Sequence, residues 1–88
     1  MKSFQTEILT PQKAVYLGAA EALVLNGALG SFGVLAGHAP LIARLAPGKL
    51  KITRNGKESV CQAGAGFVQV NKERVSVLLD EINELPAS

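Results

Sequence analysis

One cysteine, one histidine and no tryptophan occur in the 88 residues. With Cys61 alone, no internal disulfide can form, which suits a reducing compartment. A metal centre needs several ligands converging on one ion, and His38 and Cys61 are too few. The carboxylates are dispersed until Asp80-Glu81, so they do not form a calcium loop either. A nucleophile–base–orienter set would require His38 to meet Ser31 or Cys61 in space, and no motif calls for that. Aromatic residues make up 5% of the chain, the net charge is +2, and Lys and Arg are scattered. This is not the footprint of a nucleic-acid binder. No apolar run approaches the ~18 residues of a membrane-spanning helix, and Met1–Gln5 carries no apolar signal segment. The glycines miss the phosphate-binding patterns. Gly48-Lys49 and Gly56-Lys57 lack the following hydroxyl residue, and Gly27, Gly30 and Gly33 do not have the dinucleotide spacing. They read instead as turn residues taking positive φ.

What is present is apolar material for one core, 48% of the residues against 18% charged, in short segments punctuated by Gly, Pro and Asn. Phe4–Leu9 reads as a strand stopped by Thr10-Pro11, and Ala14–Leu17 resumes it. Residues 19–25 are Ala-rich and helical on propensity, but Gly18 and Asn26-Gly27 bracket them too closely for a helix, so strand is expected. Asn26–Gly33 reads as a glycine-rich turn region, Val34-Leu35 as a brief extended piece and Leu41–Leu45 as a strand. Ala46-Pro47-Gly48-Lys49 fits a type II turn with Gly48 at positive φ. Lys49–Arg54 alternates polar and apolar, placing Leu50 and Ile52 on one face. Asn55-Gly56 supplies a type I′ turn into a partner strand, 57–63. Gly64-Ala65-Gly66 marks a corner, Phe67–Val70 a strand, and Val75, Val77 and Leu79 share a face of the last strand. The expected fold is all-β, a small two-layer β-sandwich or flattened barrel of about eight to ten short strands. Residues 1–80 form the domain and 81–88 a short tail.

The run Gly30-Ser31-Phe32-Gly33-Val34-Leu35-Ala36-Gly37-His38-Ala39-Pro40-Leu41 resembles the signature of the ATP synthase epsilon subunit, which shows a G-E-F-G-V-L-P-G-H-A-P-L-like stretch. The likeness continues on both sides. It takes in Leu9-Thr10-Pro11 through Val15-Tyr16, Leu45-Ala46-Pro47-Gly48, Ala63–Val70 and Val75–Asp80, in order along nearly the whole chain. The resemblance implies a β-sandwich on the central stalk, docked on the gamma subunit with one end on the c-ring. Such a subunit couples ion translocation to ATP synthesis without being an enzyme and without a cofactor. Carried over residue by residue, it implies gamma contacts at Thr10, His38 and Ala43 and c-ring contacts at Gly30, Ser31 and Phe32. It also implies a peripheral place on the cytoplasmic face of a bacterial inner membrane, or on the stromal face of a thylakoid. Ser31 stands where the family often has Glu, a loss that a backbone or hydroxyl hydrogen bond, or Glu21, could offset. Ala36 stands where the family often has Pro, which should loosen that turn. No helical hairpin follows the sandwich, so hairpin-based inhibition is not expected of this polypeptide.

Other classes are weaker on the residues themselves. A free-standing β-sandwich that binds a peptide or ligand shares the fold prediction, and co-elution with a gamma subunit would discriminate the two. A swinging-arm carrier needs a modified lysine at a hairpin tip, and Lys57 lacks the flanking context. A small hydrolase lacks its constellation.

Overall fold

The computed structural model describes residues 2–83, and every regular element among them is a strand. Strands β1 (Phe4–Leu9) and β2 (Ala14–Ala20) pair antiparallel, as do β3 (Ala22–Gly27) and β4 (Gly30–Leu35). After β5 (Leu41–Leu45) come two more hairpins, β6 (Gly48–Arg54) with β7 (Lys57–Ala63) and β8 (Gly66–Val70) with β9 (Arg74–Leu79). The one parallel ladder joins the first and last strands, Gln5–Leu9 beside Arg74–Leu78.

Pairing runs β2-β1-β9-β8-β5 and crosses into the rest of the sheet where Gly27 of β3 faces Leu45. One edge of β3 carries β4. Its other edge carries β6 over Ala22–Val24 and meets β5 only at its end. A strand that divides its partners in this way turns a corner, so the sheet curls until its halves face each other. The result is a five-stranded layer, β2-β1-β9-β8-β5, against a four-stranded layer, β4-β3-β6-β7, as expected of an all-β sandwich.

Alternation along the strands fills the space between the layers. Ile8, Val68, Val77 and Leu79 come from the first layer and Leu23, Leu25, Val34, Leu50 and Ile52 from the second, all in one buried cluster. Leu50 and Ile52 share the inner face of β6, and Val75, Val77 and Leu79 that of β9, as the period-two pattern predicted. The Asn55-Gly56 turn has both residues at positive φ, 51° and 75°, which is the type I′ geometry that matches strand twist.

Three local expectations are corrected. Residues 26–33 are not an open turn region, because β3 and β4 pair through Gly27 and Gly30 and leave only Ala28-Leu29 as the turn. Of the three glycines there, only Gly30 has positive φ. Gly27 is needed for space, since a Cβ there would stand 2.9 Å from the Phe32 ring. Gly48 does not take positive φ in a type II turn but opens β6. The Asn26 side chain occupies the room its Cβ would need and donates from Nδ2 to Ala46 O (3.4 Å) and Pro47 O (2.9 Å). The side-chain amide thus does the work assigned to a backbone turn. Third, the stretch after β9 is tied down as far as it is described: Ile82 bridges to Ala63, and Asn83 N donates to Gln62 O. The rest of the expected tail lies outside the described residues.

Candidate docking surfaces

The β3–β4 hairpin carries the first group of sequence-predicted residues. Gly30 and Ser31 begin β4 and are exposed. Ser31 stands opposite Asn26. Phe32 turns the other way and packs half-buried against the core. The tip itself is Leu29, at 105% relative exposure. Leu29 is not among the contacts that the resemblance implies; its signal in the sequence is a large aliphatic residue flanked by small ones inside a glycine-rich turn. The base of the hairpin is braced, with Ala28 N donating to Arg44 O and Ala46 N to Asn26 O, both at 2.9 Å. Glu21 is not near Ser31. It precedes Ala22, which faces Leu35 at the far end of the hairpin, and its carboxylate accepts from Gly56 N at 3.0 Å. Compensation for the missing glutamate by Glu21 is therefore ruled out by register.

Thr10, His38 and Ala43 are not brought together in one spot. Thr10 closes the β1–β2 turn, its N–H donating to Lys13 O at 2.9 Å. Ala43 sits on β5 opposite Val68, half-buried on the inner side against the core. His38 precedes β5. Its N–H donates to Leu35 O (3.1 Å), and its Nδ1–H to Ala39 O (2.7 Å). Strands β1 and β5 are separated by β9 and β8, so about 14 Å lies between them across the sheet. Thr10 and His38 also lie toward opposite ends of that layer, since Leu9 aligns through Leu78 and Phe67 with Arg44, three residues beyond Leu41.

The outer face of the five-stranded layer is the larger feature. Register sets Leu9, Leu78, Phe67 and Arg44 in one row. A second row holds Leu17, Glu7, Ser76, Gln69 and Ile42. Phe67 is 50% exposed, Leu78 46%, Leu17 66% and Ile42 74%. Thr10 and Pro11 border an open hollow over Leu9, Phe67 and Leu78. The Arg44 guanidinium lies 5.9 Å from the Phe67 ring centre, within reach of a cation–π contact. Sequence reading named Phe67–Val70 and Val75–Leu79 as strands but not this face. Contiguous exposed apolar surface of this kind marks an interaction site.

Reactive chemistry is sparse. Among the described residues no three His, Cys, Asp or Glu side chains gather into a metal-binding group. Cys61 is buried in β7, its thiol 3.8 Å from Leu50 O, and burial raises its pKa. A thiol pushed upward is held in its unreactive protonated form.

Residues 3–84 match the family described as ATP synthase, Delta/Epsilon chain, beta-sandwich domain. An ATP synthase epsilon chain of Chromohalobacter salexigens is 43% identical over 81 residues, covering 91% of this chain and 57% of that protein. The sodium ion specific ATP synthase epsilon chain of Propionigenium modestum is 40% identical over 82 residues, covering 92% and 59%. In three dimensions the chain is similar to a chain of the Euglena gracilis mitochondrial ATP synthase, solved as OSCP/F1/c-ring. The TM-score is 0.86 at 25% identity, covering 92% of this chain and 52% of that one. A chain of the Tetrahymena thermophila central stalk/c-ring shares the fold at TM-score 0.79 and 16% identity. The chain spans less than two thirds of the length of the curated relatives it matches.

Proposed function

Because the chain belongs to the family of ATP synthase delta/epsilon β-sandwich domains, we propose that it is a non-catalytic rotor-stalk adapter, binding the gamma subunit and the c-ring of an F-type ATP synthase. It couples ion translocation to ATP synthesis carried out elsewhere. Its place is peripheral, on the cytoplasmic face of a bacterial inner membrane or the corresponding stromal face, held there by its partners. The observation that carries this reading is the family match over residues 3–84. Two surfaces support it.

The first is the outer face of the five-stranded layer, assigned here to gamma, with Leu9, Phe67 and Leu78 at its centre. Thr10 lies at its rim and His38 just ahead of its β5 edge, whereas Ala43 points to the inner side of β5 and gives this face no side chain. Such a face loses little by being covered, since its central row is apolar. The second is the braced β3–β4 hairpin, assigned to the c-ring, with Gly30 and Ser31 exposed beside Leu29 and Phe32 anchoring the hairpin to the core. A core packed to crystal-like density makes the body between these surfaces stiff. Contacting two partners over two surfaces of a stiff body fixes their relative orientation, and an adapter that transmits torque requires that.

The test is to express the chain with its cognate gamma subunit and pass the mixture over a sizing column. A one-to-one complex is expected. Separate elution of the two proteins at micromolar concentration contradicts the proposal.

A further inference from the structure

Glu7 is out of place on the face just described. It stands on β1 between Leu17 and Ser76 within the sheet, one row from Leu9 and Leu78. Its side chain keeps 25% of its exposure. Oε2 accepts a hydrogen bond from Ser76 Oγ at 2.7 Å. Oε1 has no hydrogen-bond donor among the described residues. The nearest cation, Arg74 Nη1, is 3.9 Å away on a side chain that is 60% exposed. At that distance from an exposed guanidinium, Oε1 depends on solvent for the rest of its stabilisation. Once an apolar partner covers the face, that solvent is expelled, and a half-solvated carboxylate becomes costly unless a donor replaces it.

We propose that Glu7 is the specificity-determining polar point of this docking face, and that the partner brings a guanidinium or ammonium group to Oε1. The proposal rests on the reading of the outer face as the gamma-binding surface. Ser76 presets the carboxylate by holding Oε2, which leaves Oε1 with only its loose ion pair to the exposed Arg74. A cation suits the position better than a neutral amide because it compensates the charge as well as the hydrogen bond. The apolar rows then supply area, while Glu7 fixes register: a partner shifted by one strand spacing would bury the carboxylate against hydrocarbon. Rejection of such misdocked arrangements is how a carboxylate beside an apolar row confers selectivity.

The experiment titrates cognate gamma subunit into the chain by calorimetry, using wild type, Glu7→Leu, Glu7→Gln, Arg74→Gln and the Glu7→Leu, Arg74→Gln double variant, with thermal melts of each free chain as the folding control. Glu7→Leu is expected to bind about thirtyfold or more weakly, because the partner's cation is left buried and unpaired. Glu7→Gln, the variant closest in shape, should lose about threefold or more. Added salt should weaken the wild type more than Glu7→Leu. Glu7→Leu binding as tightly as wild type, or more tightly, overturns the inference and leaves the adapter reading standing. Disappearance of the Glu7→Leu effect in an Arg74→Gln background also overturns it, since the donor would then be Arg74 closing on its neighbour. Wild type that fails to bind gamma at all overturns both.

Discussion

The two outer faces of this sandwich are built from the same kind of strand and differ in what they show to water. On the four-stranded layer, Lys49, Lys51, Thr53, Glu58 and Gln62 project outward, with Lys51 paired to Glu58 at 3.5 Å. Its two exposed large apolar residues, Leu35 and Val60, are set among these groups. On the five-stranded layer, Leu9, Leu78 and Phe67 lie side by side, with Leu17 and Ile42 in the adjoining row. One face is finished for solvent. The other carries an apolar central row, Leu9, Leu78 and Phe67, beside a mixed row in which Glu7, Ser76 and Gln69 lie between Leu17 and Ile42. This contrast is what the proposed assignment of the five-stranded face to gamma rests on.

The largest expected effect separates the inside of the five-stranded layer from its outside. Val77 and Leu78 are neighbours on β9 with opposite orientations, Val77 fully buried and Leu78 exposed. Val77→Asp should leave no folded protein by circular dichroism, since an unpaired buried charge exceeds the stability of so small a domain. Phe67→Arg with Leu78→Arg should fold and melt close to wild type yet bind gamma at least about thirtyfold more weakly, the loss expected of truncated interface anchors. The matching change on the other face, Lys49→Glu with Lys51→Glu, should alter gamma binding by less than about threefold in the same assay, as for rim charges away from an interface. If the two double variants lose affinity equally, the comparison is broken.

Smaller effects sharpen it. Thr6 is 3% exposed, and its Oγ1 has no hydrogen-bond partner among the described residues; it lies on the inner side of the same layer. Thr6→Val should be neutral or stabilising by up to about 1–2 kcal/mol in urea unfolding, because an unsatisfied hydroxyl is replaced by a methyl of equal shape. The buried thiol of Cys61 predicts a pH effect. Its folded-state pKa is raised above the usual 9.0 by desolvation, so folding favours the protonated form. Its contribution is complete below the ordinary thiol range and is lost as pH climbs through the raised value. Cys61→Ala should therefore show a flatter fall in melting temperature at alkaline pH than wild type does, whatever its stability at neutrality.

How much of this was legible depended on which signals are local. The β6–β7 hairpin could be read outright, because Lys49–Arg54 alternates cleanly and Asn55-Gly56 dictates one turn type. The β3–β4 hairpin could not, since Gly27, Gly30 and Gly33 suppress alternation and Phe32 packs over a glycine only in the folded chain. Gly48 misled for a similar reason: its purpose is set by Asn26, 22 positions earlier. The apolar outer face was invisible because Leu9, Phe67 and Leu78 are as apolar as the core residues next to them. Periodicity distinguishes two faces only when one of them is polar. Their meeting also depends on the parallel pairing of β1 with β9, a contact between opposite ends of the chain that no short pattern encodes.

The most direct measurement is the affinity of cognate gamma subunit for the Phe67→Arg, Leu78→Arg chain beside wild type, at one salt concentration and with equal melting temperatures established first. A folded variant that no longer co-elutes with gamma, while wild type forms a one-to-one complex, is the outcome predicted here. A folded variant that binds as wild type does would mean that gamma docks elsewhere, and the assignment of the apolar face would be wrong.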